Sequence, residues 1–224
     1  MEKHEFNEAA RVQQSLLAST EKKILVWCAQ RMPPWIHSDH LTALGFAGMV
    51  LAGVSYRMAA ASPGFLLLAT LFLWINWFGD SMDGTLARVR NKLRPRYGFY
   101  VDHMLDTFGS VFLLAGLGSS GYMNPVIAAG LLIAYLILSA EIYLATYALR
   151  TFQISYGKWG PTELRILLTI GNLYLFHQHR VHLFGKEYLL FDVGGAAGII
   201  GLLVIAILSF VRHTITLYNE EKLE

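Results

Sequence analysis

Six stretches of the chain are almost free of charge and come close to the roughly 20 apolar residues that cross a bilayer as a helix. They lie near 41–61, 64–82, 100–118, 124–148, 163–179 and 189–211. The fifth is the least apolar, opened by Glu163 and Arg165 and closed by His177. Residues 5–31 follow a different pattern. Val12, Leu16, Ile24, Leu25 and Cys28 recur at helical spacing, with Lys22, Lys23 and Arg31 between them. That spacing predicts an amphipathic helix, lying on a membrane surface or packed on the protein's own cytoplasmic face. Pro33 and Pro34 end it, and Trp35 suits the interface. The expected fold is an all-α integral membrane protein: six transmembrane helices preceded by an N-terminal amphipathic surface helix. Residues 1–34 form the juxtamembrane segment and 35–224 one six-helix membrane domain.

Composition supports this reading. The 224 residues are 54% hydrophobic and 15% charged, and mean hydropathy is +0.43; a soluble domain carries about 25% charged residues. The formal net charge of +2 gives no electrostatic footprint for nucleic acid. Cys28 is the one cysteine, so an intrachain disulfide and a thiolate metal cluster are both excluded. The charged start, Glu2 to Glu5, is not expected to act as a secretory leader. Arg88, Arg90, Lys92, Arg94 and Arg96 crowd the connection after the second span, whereas the connection after the third carries no charge. The excess of basic residues on cytoplasmic loops then puts this connection, both termini and Arg150 on the cytoplasmic side. In a bacterium the membrane would be the inner or plasma membrane.

Where the second and third spans approach that basic connection, the chain carries Asp80, Asp83, Asp102 and Asp106. Carboxylates beside hydrocarbon are costly unless something neutralises them. Residues three, four and seven apart share a helix face, so Asp80, Asp83, Gly84 and Ala87 form one stripe and Gly98, Asp102 and Asp106 another. Packed together, the two stripes bring four carboxylates to one place. Oxygen-only ligands favour hard cations such as Mg²⁺ or Mn²⁺, and two such ions can stabilise attacking and leaving oxygens at phosphorus. Gly84 and Ala87 leave room for a bulky group, and Arg88, one turn beyond Gly84, is placed to meet a phosphate.

The order D-x-x-D-G-x-x-A-R, a nine-residue gap, then G-x-x-x-D-x-x-x-D resembles the signature of the CDP-alcohol phosphotransferases (the CDP-alcohol phosphatidyltransferase family), with Asp80, Asp83, Gly84, Ala87, Arg88, Gly98, Asp102 and Asp106 all in place. The resemblance implies a six-helix membrane enzyme, usually a homodimer. It would move a substituted phosphate from a CDP-linked donor to an acceptor alcohol, releasing CMP, in phospholipid biosynthesis, with its site open to the cytoplasmic side. It implies that Asp80, Asp83 and Asp102 hold two Mg²⁺ or Mn²⁺ ions. Asp106 would complete the metal site and act as general base. Asp80, Gly84, Ala87, Arg88 and Gly98 would serve the CDP moiety.

The chain's length and six spans resemble family members that use CDP-diacylglycerol with a small polar acceptor, and that donor is the one expected first. His103, in D-H-x-x-D, and the G-P-T-E run at 160–163 resemble instead the choline and ethanolamine branch, whose donor is a CDP-amino alcohol and whose acceptor is diacylglycerol. His103, Arg150, Glu163 and Arg165 are candidates for binding acceptor or phosphate. The alternative for Glu163 is a favourable charge at a helix N-terminus, and for Arg165 a side chain reaching back to the surface. Glu141, deep in the fourth span, is expected to bond Tyr143 or Tyr147, or to face a polar cavity. A divalent-cation transporter is the competing class, but transporter sites sit near the bilayer midplane, not at helix ends beside a basic loop.

Overall fold

A computed structural model describes residues 10–12, 18–149, 151–153 and 160–222. It contains seven helices among the described residues: α1 (Ala18–Arg31), α2 (Ser38–Ala59), α3 (Phe65–Val89), α4 (Pro95–Gly118), α5 (Pro125–Leu149), α6 (Pro161–Tyr174) and α7 (Leu190–Glu220). A helix therefore lies at each of the six apolar stretches. Four of them, α2, α3, α5 and α7, are long and apolar enough to cross a membrane. α4 has 24 residues, but its N-terminal half carries the charged motif. α6 has 14 residues, a length of about 21 Å at 1.5 Å per residue, short of the roughly 30 Å hydrocarbon core.

Two short strand pairs fall outside what hydropathy predicts. β1 (Ala10–Val12) lies parallel to β2 (Thr151–Gln153). β3 (Arg180–Leu183) and β4 (Lys186–Leu189) form an antiparallel hairpin, turning through Phe184 and Gly185 at φ 51° and 76°. Such turns need positive φ at both central residues, and glycine provides one of them without steric cost.

α2 is the centre of the site-bearing half, packed on α3 and on α4. Glycines set these approaches. A Cβ at Gly79 would lie 2.5 Å from the Gly45 backbone nitrogen, and one at Gly116 would lie 2.0 Å from the Gly53 carbonyl oxygen. Only bare backbones fit at such distances. α1 does pack on the protein itself: Leu25 and Ala29 are buried with Leu41, Met82 and Leu86, at the end of α3 that carries the aspartates. α5 pairs with α7 on the other side of the bundle.

α6 is held by polar side chains. Asn172, fully buried, donates to Thr70 Oγ1 at 3.0 Å and accepts from the Tyr56 hydroxyl at 3.0 Å. Trp74 Nε1 donates to Thr169 at 3.1 Å, and Trp77 Nε1 to Thr162 at 3.2 Å. Arg165 reaches Asn76 and Asp80. The α6 positions 162, 169 and 172 thus meet α3 positions 77, 74 and 70 in descending order, with Arg165 between them reaching Asn76 and Asp80, an antiparallel polar seam. Its low hydropathy follows from this: the polar face is buried against α3 and its hydrogen bonds are satisfied inside the protein.

Candidate active site

The α3–α4 corner builds the site. α3 ends at Val89, a short turn follows through Asn91 at φ 52°, and Pro95 starts α4 with its ring at the first helical turn, where no backbone N–H is needed. The corner folds the two aspartate stripes against each other. Oxygens of Asp80, Asp102 and Asp106 lie within 4.8 Å of one another, all three partly buried. With Asn76, Thr42 and Gly45 they line a narrow cleft between α2, α3 and α4 of about 10 Å³, the room of one water or ion. Three carboxylates converging on a space of that size fit a hard divalent cation.

Asp83 stands apart from this trio. Its Oδ2 accepts from Thr42 Oγ1 at 2.6 Å, its Oδ1 faces the Gly84 N–H, and its backbone carbonyl accepts from Ser38 at 3.0 Å. Helix geometry is the reason: three residues on from Asp80, the side chain is turned by about 60°, toward α2. The expected convergence of four carboxylates is thus a convergence of three, with the fourth bonded to Thr42 beside them.

Arg165 turns inward. Its Nε and Nη2 both donate to Asn76 Oδ1, at 3.1 and 2.7 Å, and Nη2 also donates to Asp80 Oδ2 at 3.2 Å. Its side chain is 13% exposed, so it does not reach back to the surface. Asn76 in turn donates to the Gly45 carbonyl at 3.0 Å. Glu163 is buried, and its Oε2 accepts from the Gly160 N–H at 3.0 Å, capping α6.

The other candidates lie around the trio. Arg88 folds back over Gly84 and reaches Thr85 at 3.4 Å. Ala87 lines a neighbouring cavity of about 360 Å³ with His37, Asp39, Lys92 and Arg94, within the range of small-molecule sites. Gly98, where an added Cβ would meet nothing within 4 Å, faces open space. His103 bonds through Nδ1 to the Phe99 carbonyl at 2.7 Å, with Asp102 Oδ2 at 3.6 Å from the same nitrogen. Its ring stacks on Phe99 at 4.2 Å and meets Tyr143 edge-on at 5.1 Å. Arg150 lies outside the described residues.

This corner is where the chain matches a known family. The description CDP-alcohol phosphatidyltransferase applies to residues 35–211, which include both aspartate stripes and the whole of α2 to α6. The chain belongs to the CDP-alcohol phosphatidyltransferase family. Among curated proteins it is similar to cholinephosphotransferase 1 of Gallus gallus, 27% identical over 214 residues, covering 87% of this chain and 61% of that protein. It is likewise similar to cholinephosphotransferase 1 of Danio rerio, 27% identical over 214 residues, covering 88% of this chain and 54% of that protein. The chain thus spans little more than half the length of the curated relatives it matches.

In this family member, sequence reasoning passed over Thr42 and Asn76. Thr42 lies on α2, far from the signature. Asn76 is one turn before Asp80, on the same helix face, and that spacing was the available signal. Glu141 also differs from expectation: its Oε1 lies 2.6 Å from His213 Nδ1 on α7, not on Tyr143 or Tyr147, and its Oε2 is buried with no partner among the described residues.

Proposed function

We propose that this protein transfers a substituted phosphate from a CDP-linked alcohol to an acceptor hydroxyl and releases CMP. The convergence of Asp80, Asp102 and Asp106 at the α3–α4 corner, inside the family match, carries the reading. Asp80, Asp83, Asp102 and Asp106 would hold Mg²⁺ or Mn²⁺, two ions by family resemblance. Such ions, when bound, offset negative charge on the phosphates and on departing CMP. Asp106, the carboxylate furthest along α4, takes the proton of the acceptor hydroxyl as its oxygen attacks phosphorus. The bond from phosphorus to the CMP oxygen breaks, and CMP leaves as a phosphate. Gly84, Ala87, Arg88 and Gly98 bind the CDP moiety, with the cavity beside Ala87 available to it. The basic α3–α4 connection suits an anionic nucleotide, and by charge bias it faces the cytoplasm. Six helices, α2 to α7, form the membrane domain, and a homodimer is expected from the resemblance.

The donor is a CDP-amino alcohol and the acceptor diacylglycerol in the reading that the two relatives and His103 favour. A second reading has support in Arg165. A buried guanidinium beside the carboxylates suits an acceptor or donor with an additional phosphate, as with CDP-diacylglycerol and a phosphorylated polar alcohol. A cation transporter has no such support in the family match.

The test is CMP release by purified protein in nanodiscs, with Mg²⁺ or Mn²⁺. CDP-choline, CDP-ethanolamine and CDP-diacylglycerol are each paired with diacylglycerol, glycerol phosphate, inositol phosphate and serine. CMP that depends on one donor and one acceptor, and is lost with chelator and in Asp106→Asn, is the expected result. No CMP from any pair by folded, metal-binding protein would refute the reading.

A further inference from the structure

The polar seam between α3 and α6 is closed at its site end by a residue from outside the matched family segment. Glu21, on α1, precedes residue 35, where the match begins. Its Oε1 accepts from Trp77 Nε1 at 3.0 Å and from Ser81 Oγ at 3.1 Å. Its Oε2 accepts from Thr162 Oγ1 at 3.0 Å. One carboxylate therefore joins three helices. Ser81 adjoins Asp80. Thr162 adjoins the capping Glu163 and lies three residues before Arg165, on the same face of α6. The indole N–H of Trp77 is a donor only and is shared between Glu21 and Thr162, so no rearrangement of Trp77 replaces the acceptor that Glu21 supplies.

We propose that Glu21 is a positioning residue: by accepting from Trp77, Ser81 and Thr162 it clamps the first turn of α6 to α3 and holds the Arg165 guanidinium at Asp80. The role is one of hydrogen-bond acceptance, not of charge, since all three partners are neutral donors. It rests on the proposed reaction for its kinetic consequence, though not for its geometry.

Two variants and two readouts test it. Glu21→Leu removes every acceptor, and Glu21→Gln keeps one oxygen that can serve Trp77 and Ser81. Nitroxide labels at the exposed Ile24→Cys and Leu164→Cys, in a Cys28→Ser background, report the distance from α1 to the first turn of α6 in nanodiscs. Glu21→Leu is expected to broaden that distance distribution. Well below its unfolding temperature it should also lower kcat by about 10- to 100-fold, the scale of a small misplacement, with donor KM within about twofold. Glu21→Gln is expected to recover most of both. An unchanged distribution in Glu21→Leu overturns the proposal. So does an unchanged kcat per folded molecule, which would make the contact one of stability alone. A Glu21→Gln defect equal to that of Glu21→Leu would assign the role to charge and overturn it too. Wild-type protein that releases no CMP would refute the reaction instead, leaving the distance measurement to decide the clamp.

Discussion

Arg165 donates to Asp80 across the α3–α6 boundary at 3.2 Å while Asn76 accepts two of its N–H groups. The guanidinium is thereby fixed in a plane beside the carboxylates, which a lysine ammonium cannot reproduce. Arg165→Lys is expected to keep the fold and lose about 10-fold or more in kcat/KM, a cost of about 1.4 kcal/mol per decade. Arg165→Leu would further leave the acceptor of the buried Asn76 unpaired, at about 1–3 kcal/mol of stability. Steady-state CMP release and thermal unfolding in detergent measure the two effects separately.

Removing single carboxylates tests the metal site without reference to turnover. Asp80→Asn, Asp102→Asn and Asp106→Asn each delete one negative charge from a group whose oxygens lie within 4.8 Å of one another. Each is expected to weaken Mn²⁺ binding about 10-fold or more, read by calorimetry or by the free-Mn²⁺ paramagnetic resonance signal. Asp106→Asn should in addition lower kcat by at least about 100-fold even at saturating metal, because an amide cannot take the acceptor's proton. Equal Mn²⁺ affinity in wild type and all three variants would refute a metal at this cleft.

The close approach of α2 to α3 beside Asp80 gives a steric prediction. A Cβ at Gly79 would sit 2.5 Å from the Gly45 nitrogen and 2.6 Å from the Leu41 carbonyl, and neither backbone can move aside like a flexible side chain. Gly79→Ala is expected to cost about 1–3 kcal/mol in stability. It should also depress activity at temperatures where the fold persists, since the next residue is Asp80. Gly98→Ala, with open space around it, is expected to leave the unfolding temperature unchanged.

The aspartate corner was legible in the sequence because helical periodicity alone places residues three and four apart on one face. The same rule could have found the α6 seam, with Thr162, Thr169 and Asn172 on one face of α6 meeting Trp77, Trp74 and Thr70 on one face of α3, and Arg165 between them reaching Asn76 and Asp80. Polar residues inside a membrane stretch instead looked like interruptions that weakened it. What periodicity cannot provide is the partner. That Asp83 turns to Thr42, that Glu21 joins Ser81 and Thr162, and that Glu141 meets His213 depend on contacts 41 to 141 residues apart in the chain. The amphipathic pattern of residues 5–31 was equally compatible with lipid and with protein; α1 takes up Ala18–Arg31 of it, Val12 lies in β1 and Leu16 outside the described residues. Leu25 and Ala29 pack on Met82 and Leu86, while Ile24 stays exposed.

Glu141 and His213 supply the last prediction. Their side chains are 12% and 19% exposed, on helices that both read as membrane spans. Glu141 Oε1 meets the imidazole at 2.6 Å, while Oε2 lacks a partner among the described residues. A pair of this kind is weak support for stability, because desolvating two polar groups offsets much of their attraction. Removing one partner is another matter. His213→Leu would leave both oxygens of Glu141 unpartnered in an apolar setting, and it is expected to cost about 3–5 kcal/mol. Adding Glu141→Leu to that variant should return stability to the wild-type level or above it, since an apolar pair of similar volume carries no desolvation cost. Thermal unfolding of wild type, the two single variants and the double variant reads this directly. A double variant no more stable than His213→Leu alone would mean that packing of α5 on α7, and not the buried carboxylate, sets the cost. CMP release by the double variant then separates structure from chemistry: neither residue lines the aspartate cleft among the described residues, and activity is expected to survive where stability does.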